Sequence, residues 1–270
     1  LVFLFHTNGK EGETMFLGVD LGGTKTAVCD NGCGEEDTIA DEGSKLAHKF
    51  VTYTSNGDGT CYVSGIGTCT DTELYIGRSI DGYEVNAIGD KALAECTSFT
   101  KVFLSDSVKS INRRAFYKCT ELTEITIPAS VTDIGQQIFY GCDNLTDVGI
   151  GNSVTSIGDS AFASCEKLTS IVIPDNVTSI GYEAFKECVS LESVVIGSKV
   201  KSIGNSCFRY SYALESITFK PQTPPTLGTD MFEGAASLKI YVPASADDSI
   251  IDAYKAASGW SPYVSYIYEK

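Results

Sequence analysis

"LTEITIPASVTDIGQQIFYGCDN", residues Leu122 to Asn144, is the unit from which most of this chain is built. Rows starting at Leu145, Leu168, Leu191 and Leu214 repeat it every 23 residues, and an earlier, looser row starts at Phe99. Ile125, Val148, Ile171, Val194 and Ile217 fall in one column, and Ile127, Ile150, Ile173, Ile196 and Phe219 in another. Val131, Val154, Val177 and Val200 follow, then Ile134, Ile157, Ile180 and Ile203. Phe116, Phe139, Phe162, Phe185 and Phe208 precede the last column, Cys96, Cys119, Cys142, Cys165 and Cys188. Self-similarity at a fixed period of this size marks a solenoid. One row cannot bury its own apolar face, so neighbouring coils must supply the core.

Within a row, Leu-x-x-Ile-x-Ile alternates with period two and stops at Pro or Gly, which predicts a short strand. Val-x-x-Ile-Gly predicts a second extended piece with a turn. The Phe-x-x-Cys stretch predicts a helical turn or short 3₁₀ piece, because residues three apart can share one face. The row from Leu214 departs: "KPQTPPTLG" is one residue longer, and Pro221, Pro224 and Pro225 make a rigid loop before the second extended piece.

The cysteine column invites a metal or disulfide reading, and geometry opposes both. Coils stacked at the strand spacing of ~4.8 Å form a straight ladder of parallel side chains. Tetrahedral zinc needs four sulfurs converging on one point, and parallel Cβ vectors at that spacing exceed the usual disulfide reach. Cysteine here reads as a small buried hydrophobe beside the Phe column. On that reading Cys165→Ser should harm by burying a hydroxyl, and Cys165→Ala should be milder. In the row from Leu191 the ladder position is Ser211, while Cys207 takes the place held elsewhere by Ala115, Ala161 and Ala184. Cys29, Cys33, Cys61 and Cys69 lie outside the ladder; Cys61 and Cys69 flank a hairpin and could be bridged in an oxidising compartment, with free thiols the expected state.

The columns resemble the leucine-rich repeats of the BspA-type surface-antigen family, Leu-x-x-Ile-x-Ile-Pro-x-x-Val-x-x-Ile-Gly-x-x-Ala-Phe-x-x-Cys-x-x, over roughly residues 51 to 267. "GDGTCYVSGIGTCTDTELYIG" looks like the segment that opens such arrays, and "LKIYVPASADDSIIDAYKAASGWSPYVSYI" like their terminal strand and closing helix. The resemblance implies a β-rich leucine-rich-repeat solenoid with short strands, short helical or 3₁₀ turns and a C-terminal capping helix. It also implies cell-surface or secreted localisation and adhesion to, or recognition of, an extracellular host or microbial protein. The expected layout is a non-repetitive segment 1–50, a hairpin plus acidic linker, followed by a solenoid 51–270. That solenoid would comprise an N-terminal cap (51–73), about eight coils and a C-terminal cap (244–270).

Charge narrows the partners. Lys and Arg number 20 against 35 Asp and Glu, giving a net charge of −15. No basic cluster stands out to neutralise phosphates, which opposes nucleic acid and anionic membrane as ligands. No apolar run approaches the ~20 residues of a membrane span, and "LVFLF" at residues 1 to 5 is too short for a signal-peptide core. The chain does not begin with Met, which leaves a removed leader open. A monomer is expected.

One motif suggests an enzyme. "MFLGVDLGGTKTAVCD", Met15 to Asp30, looks like the first phosphate motif of the repressor–open-reading-frame–kinase sugar kinases. In that family the aspartate matching Asp20 helps hold the metal, and the turn matching Gly22, Gly23 and Thr24 approaches ATP phosphates. The match covers about 16 residues, and the second lobe, catalytic aspartate and second phosphate loop have no counterpart in the repeats. A hairpin turning at Gly22-Gly23, or a relic of fusion, is the preferred reading, with a kinase fragment as a remote alternative. His6 and His48 are the only histidines and neither has ligand spacing, so no catalytic, cofactor or metal residue is assigned.

The expected function is therefore non-enzymatic protein binding, with a structural spacer or display rod as the alternative. If the Leu, Ile and Ile columns point inward, the residues between them point outward. Lys101 with Phe103 and Glu124 with Thr126 open that face. Asp147 with Gly149, Ser170 with Val172, and Ser193 with Val195 continue it. Ser216 with Thr218 and Lys239 with Tyr241 end it. Phe103, Val172, Val195 and Tyr241 would form an outward apolar ribbon, the candidate binding face, although strand propensity alone also favours such residues. The Tyr117 and Tyr140 edge is the alternative location.

Overall fold

A computed structural model describes residues 51–66 and 72–270, together with the backbone of three strands, Phe3–Phe5, Met15–Val19 and Lys25–Val28. The three strands pair antiparallel, with Val19 opposite Lys25 and Phe16 opposite Val28. Asp20, Gly22, Gly23 and Thr24, the acidic stretch 31–50, and Cys29, Cys33 and Cys69 lie outside the described residues.

The repeat is a three-sided coil. Its first side is the Leu-x-x-Ile-x-Ile strand, four residues long in most rows, as in Glu124–Ile127 and Ser193–Ile196. Its second side is a two-residue strand ending at an Ile or Leu that glycine follows in every coil but that of Ile111. Ile111, Ile134, Ile157, Ile180, Ile203 and Leu227 follow one another in register through one parallel sheet. That sheet runs unbroken from Thr226–Leu227 to Ser110–Ile111 and Tyr83–Ile88, then to the antiparallel hairpin Thr52–Ser55 and Thr60–Gly65. The Pro221–Pro225 loop only delays the second side, because Thr226 still pairs with Ser202.

The third side, around Phe and Cys, consists of turns rather than a continuous helix. Bonds such as Cys165 N–H to Phe162 O, 3.3 Å, have the 3₁₀ span. Two left-handed residues per coil stop them from propagating: Arg114 and Lys118, Glu183 and Glu187, and Ser206 and Tyr210 all have positive φ. The coil-to-coil bonds that this geometry frees run along the stack, as in Phe162 N–H to Ala184 O at 2.8 Å.

The core is the sum of the columns. Phe116, Phe139, Phe162, Phe185 and Phe208 are fully buried and stack at 5.2–5.4 Å with interplanar angles of 2–18°. Phe232 extends the stack at 5.8 Å. Burying each such ring contributes about 1.5–3 kcal/mol. The cysteines are buried and free, as is Cys61. Their role corrects the purely apolar reading. Cys142 Sγ donates to Phe116 O at 3.1 Å and Cys188 Sγ to Phe162 O at 3.1 Å, and Ser211 Oγ donates to Phe185 O at the same distance. The column is a row of donors, so serine substitutes in it by keeping the bond.

The C-terminal end is closed by more than an amphipathic helix. The helix Ser249–Ala256 buries Tyr254, with Ile250 and Ile251 only partly covered. Gly259, at φ 86°, reverses the chain where a Cβ would lie 3.0 Å from Leu227 O, and Trp260 then packs fully buried. Tyr254 Oη donates to Pro221 O at 2.8 Å and Trp260 Nε1 to Pro225 O at 2.9 Å, so the cap is held by carbonyls of the irregular proline loop. A 3₁₀ helix, Ser261–Tyr266, leads into the strand Ile267–Glu269, which adds in parallel to Lys239–Val242.

Candidate protein-binding face

Parallel register places the predicted outward residues side by side. Glu124 lies opposite Lys101 and Asp147, and Thr126 opposite Phe103 and Gly149. Beyond Gly149, Val172 faces Val195, Val195 faces Thr218, and Thr218 faces Tyr241. Ser170, Ser193 and Ser216 form the matching first column in these coils.

The face is uneven in chemistry. Its first coils are charged and aromatic: Lys101 Nζ meets Glu124 Oε2 at 2.8 Å, and that bond with its charge attraction holds the ammonium pKa above its ordinary value. Phe103, 37% exposed, stacks on Tyr75 at 4.4 Å and 7°. The middle coils are Ser and Val, with Val172 60% exposed and Val195 half-buried. The last coils turn aromatic again, where Tyr241 meets Tyr268 at 6.1 Å and Lys270 Nζ lies 5.3 Å from the Tyr241 ring.

Glu73, Tyr75 and Tyr268 belong to these columns, yet the 23-residue period missed them. Glu73 pairs with Lys101 across 28 residues and Tyr268 with Tyr241 across 27, because the flanking rows carry insertions. The alternation in "ELYI" and "YIYE" was the available signal.

The turn side carries the second candidate surface. Tyr117 and Tyr140 stack at 5.2 Å, with Arg114 and Lys118 at 5.2 and 5.5 Å from the Tyr117 ring. Tyr182 and Tyr212 are exposed further along. Burial pushes the Cys188 thiol up to about 12 and Cys61 up to about 11 and keeps both protonated. No helix among the described residues is long and apolar enough to cross a membrane.

The family profile described as "BspA type Leucine rich repeat region" matches in 6 copies, over residues 86–215 and 132–254. Among solved structures, the leucine-rich-repeat protein TpLRR of T. pallidum is similar at 28% identity and TM-score 0.66. That alignment covers 70% of this chain and 88% of TpLRR. A leucine-rich-repeat protein from Bacteroides ovatus ATCC 8483 is similar in fold, at 20% identity and TM-score 0.50, covering 86% of this chain and 76% of its own. No curated protein sequence matches the chain.

Proposed function

The chain belongs to the BspA-type leucine-rich-repeat family, and from that premise we propose that it is a non-enzymatic module that binds an extracellular protein, at the cell surface or after secretion. The observation that carries this reading is the outward column, whose stacked Tyr75–Phe103 pair and exposed Val172 present apolar surface on hydrogen-bonded strands. Apolar groups fixed in place lose little conformational freedom on binding, which suits recognition of a folded partner. Net charge of −15 adds a bias toward partners with basic surfaces. The unbroken short-strand sheet favours a second reading, a spacer that holds other domains apart.

The test begins with purified extracellular-matrix and mucosal proteins on a biosensor surface, followed by the paired variant Val172→Glu with Val195→Glu. A loss of affinity of at least about tenfold with an unchanged circular-dichroism spectrum supports the face. Full affinity in the variant moves the site to the Tyr117 and Tyr140 edge, and no binding across the panel favours the spacer.

A further inference from the structure

The long-strand side is not one sheet. It divides into a four-stranded part ending at Asp147–Ile150 and a five-stranded part beginning at Ser170–Val172. Elsewhere the first N–H groups of each strand donate one coil back: Thr146 N–H to Thr123 O at 3.0 Å, and Glu192 and Ser193 N–H to Thr169 O at 2.8 and 3.3 Å. Among the described residues no bond from Thr169 or Ser170 N–H reaches Thr146 O. The inward residues record the same gap. Val148 and Ile150 are only half-buried, whereas Ile125, Ile127, Ile171 and Ile173 are at most 4% exposed.

The other two sides of the same junction are closed. Ser156 and Ile157 pair with Ser179 and Ile180, and Thr178 N–H reaches Thr155 O at 2.8 Å. On the turn side, Ser160, Phe162 and Ser164 N–H each donate into the next coil at 2.8 Å, and the Phe162 and Phe185 rings stack at 5.2 Å and 2°.

Sequence explains the position. Gly149 is the one glycine in the outward column, so it offers Val172 no cross-strand contact and weakens its own strand. The next coil's strand ends at Pro174, which has no N–H to give. Pro128 ends a strand in the same way, but its neighbouring coil presents Phe103 in the outward column and the ladder there holds. Only at this junction do the two weaknesses coincide.

We infer that the array consists of two stiff blocks meeting at a hinge, with its axis along the closed sides and its mouth between Asp147–Ile150 and Ser170–Val172. Bending there changes the separation of the charged and aromatic panel from the Ser and Val panel, and it covers or uncovers Val148, Ile150 and Val172. The inference holds whether or not this face binds a partner.

Two measurements on the whole chain test it. Amide hydrogen exchange should be at least about tenfold faster at Thr169 and Ser170 than at Glu192 and Ser193. Equal protection overturns the split, and Gly149→Val should slow Thr169 and Ser170 if the missing side chain is its cause. Motion is read from spin labels on ketone-bearing residues introduced at Thr126 and Val195, across the mouth, and at Val195 and Tyr241, within one block. A broader distance distribution for the first pair supports the hinge, and equal widths overturn it.

Discussion

The Sγ of Cys165 donates to the carbonyl of Phe139 across 3.2 Å, tying its coil to the one before it through a buried thiol. Phe139 O also accepts the N–H of Cys142 at 3.2 Å, so this oxygen serves two donors in different coils. Cys165→Ser should keep the bond and stay within about 1 kcal/mol of the parent. Cys165→Ala should cost about 1–2 kcal/mol, from a lost donor and a small void. Urea unfolding of both variants ranks them, and the opposite order would show that volume rather than hydrogen bonding selects cysteine.

The same burial predicts an alkaline limit. Burial raises the Cys188 thiol to about 12 and shifts Cys119, Cys142, Cys165 and Cys207 upward as well. In the unfolded chain these thiols ionise near ~8.5. Above that pH the unfolded state binds fewer protons than the native state, so stability falls as pH rises. The contribution is fully present below about pH 8.5 and fades by up to about 1.4 kcal/mol per pH unit for each thiol. Urea midpoints at pH 7.5, 8.5 and 9.5 should drop in the last interval, with a shallower drop in Cys165→Ser. A flat profile would mean that the thiols ionise alike in both states.

Phe162→Ala empties a site between two stacked rings at 5.2 Å on either side. A loss of about 3–5 kcal/mol is expected. Because each coil rests on its neighbours, amide protection should fall in the flanking coils too. A loss below about 1 kcal/mol would remove the Phe column from the core.

Deleting residues 244–270 should expose the edge of Lys239–Val242, strip the partners from Pro221 O and Pro225 O, and yield oligomers by light scattering. A monomer of unchanged stability would show that the helix, Trp260 and the last strand are dispensable. Trp260→Phe is the finer probe, expected to cost about 1–3 kcal/mol through the unsatisfied buried carbonyl.

What could be read from sequence was what repeats. Inward columns, strand lengths and outward pairs all follow from period two nested in period 23, because each coil solves the same packing problem. The thiol bonds escaped because cysteine and alanine look alike to a hydrophobicity pattern; Ser211 in the ladder was the clue that a donor was wanted. The left-handed residues escaped because Arg114, Glu183 and Tyr210 carry no glycine signal, although Gly141 and Gly234 occupy the same kind of position as Lys118 and Tyr210. The break beside Gly149 escaped because it is a failure of two weak contacts at once, and neither residue announces it alone.

The fixed register has an evolutionary corollary. The repeating backbone bonds along the stack join columns rather than particular rows, so excising a whole period leaves each remaining column with a like neighbour. Loss of residues 145–167 would join Asn144 to Leu168, keep the phenylalanine and thiol rows continuous, and delete Gly149 with them. Length and pliancy are thus set by the same edit: a genome that gains or sheds one repeat changes both the reach of the protein and whether it can flex, without inventing a new contact.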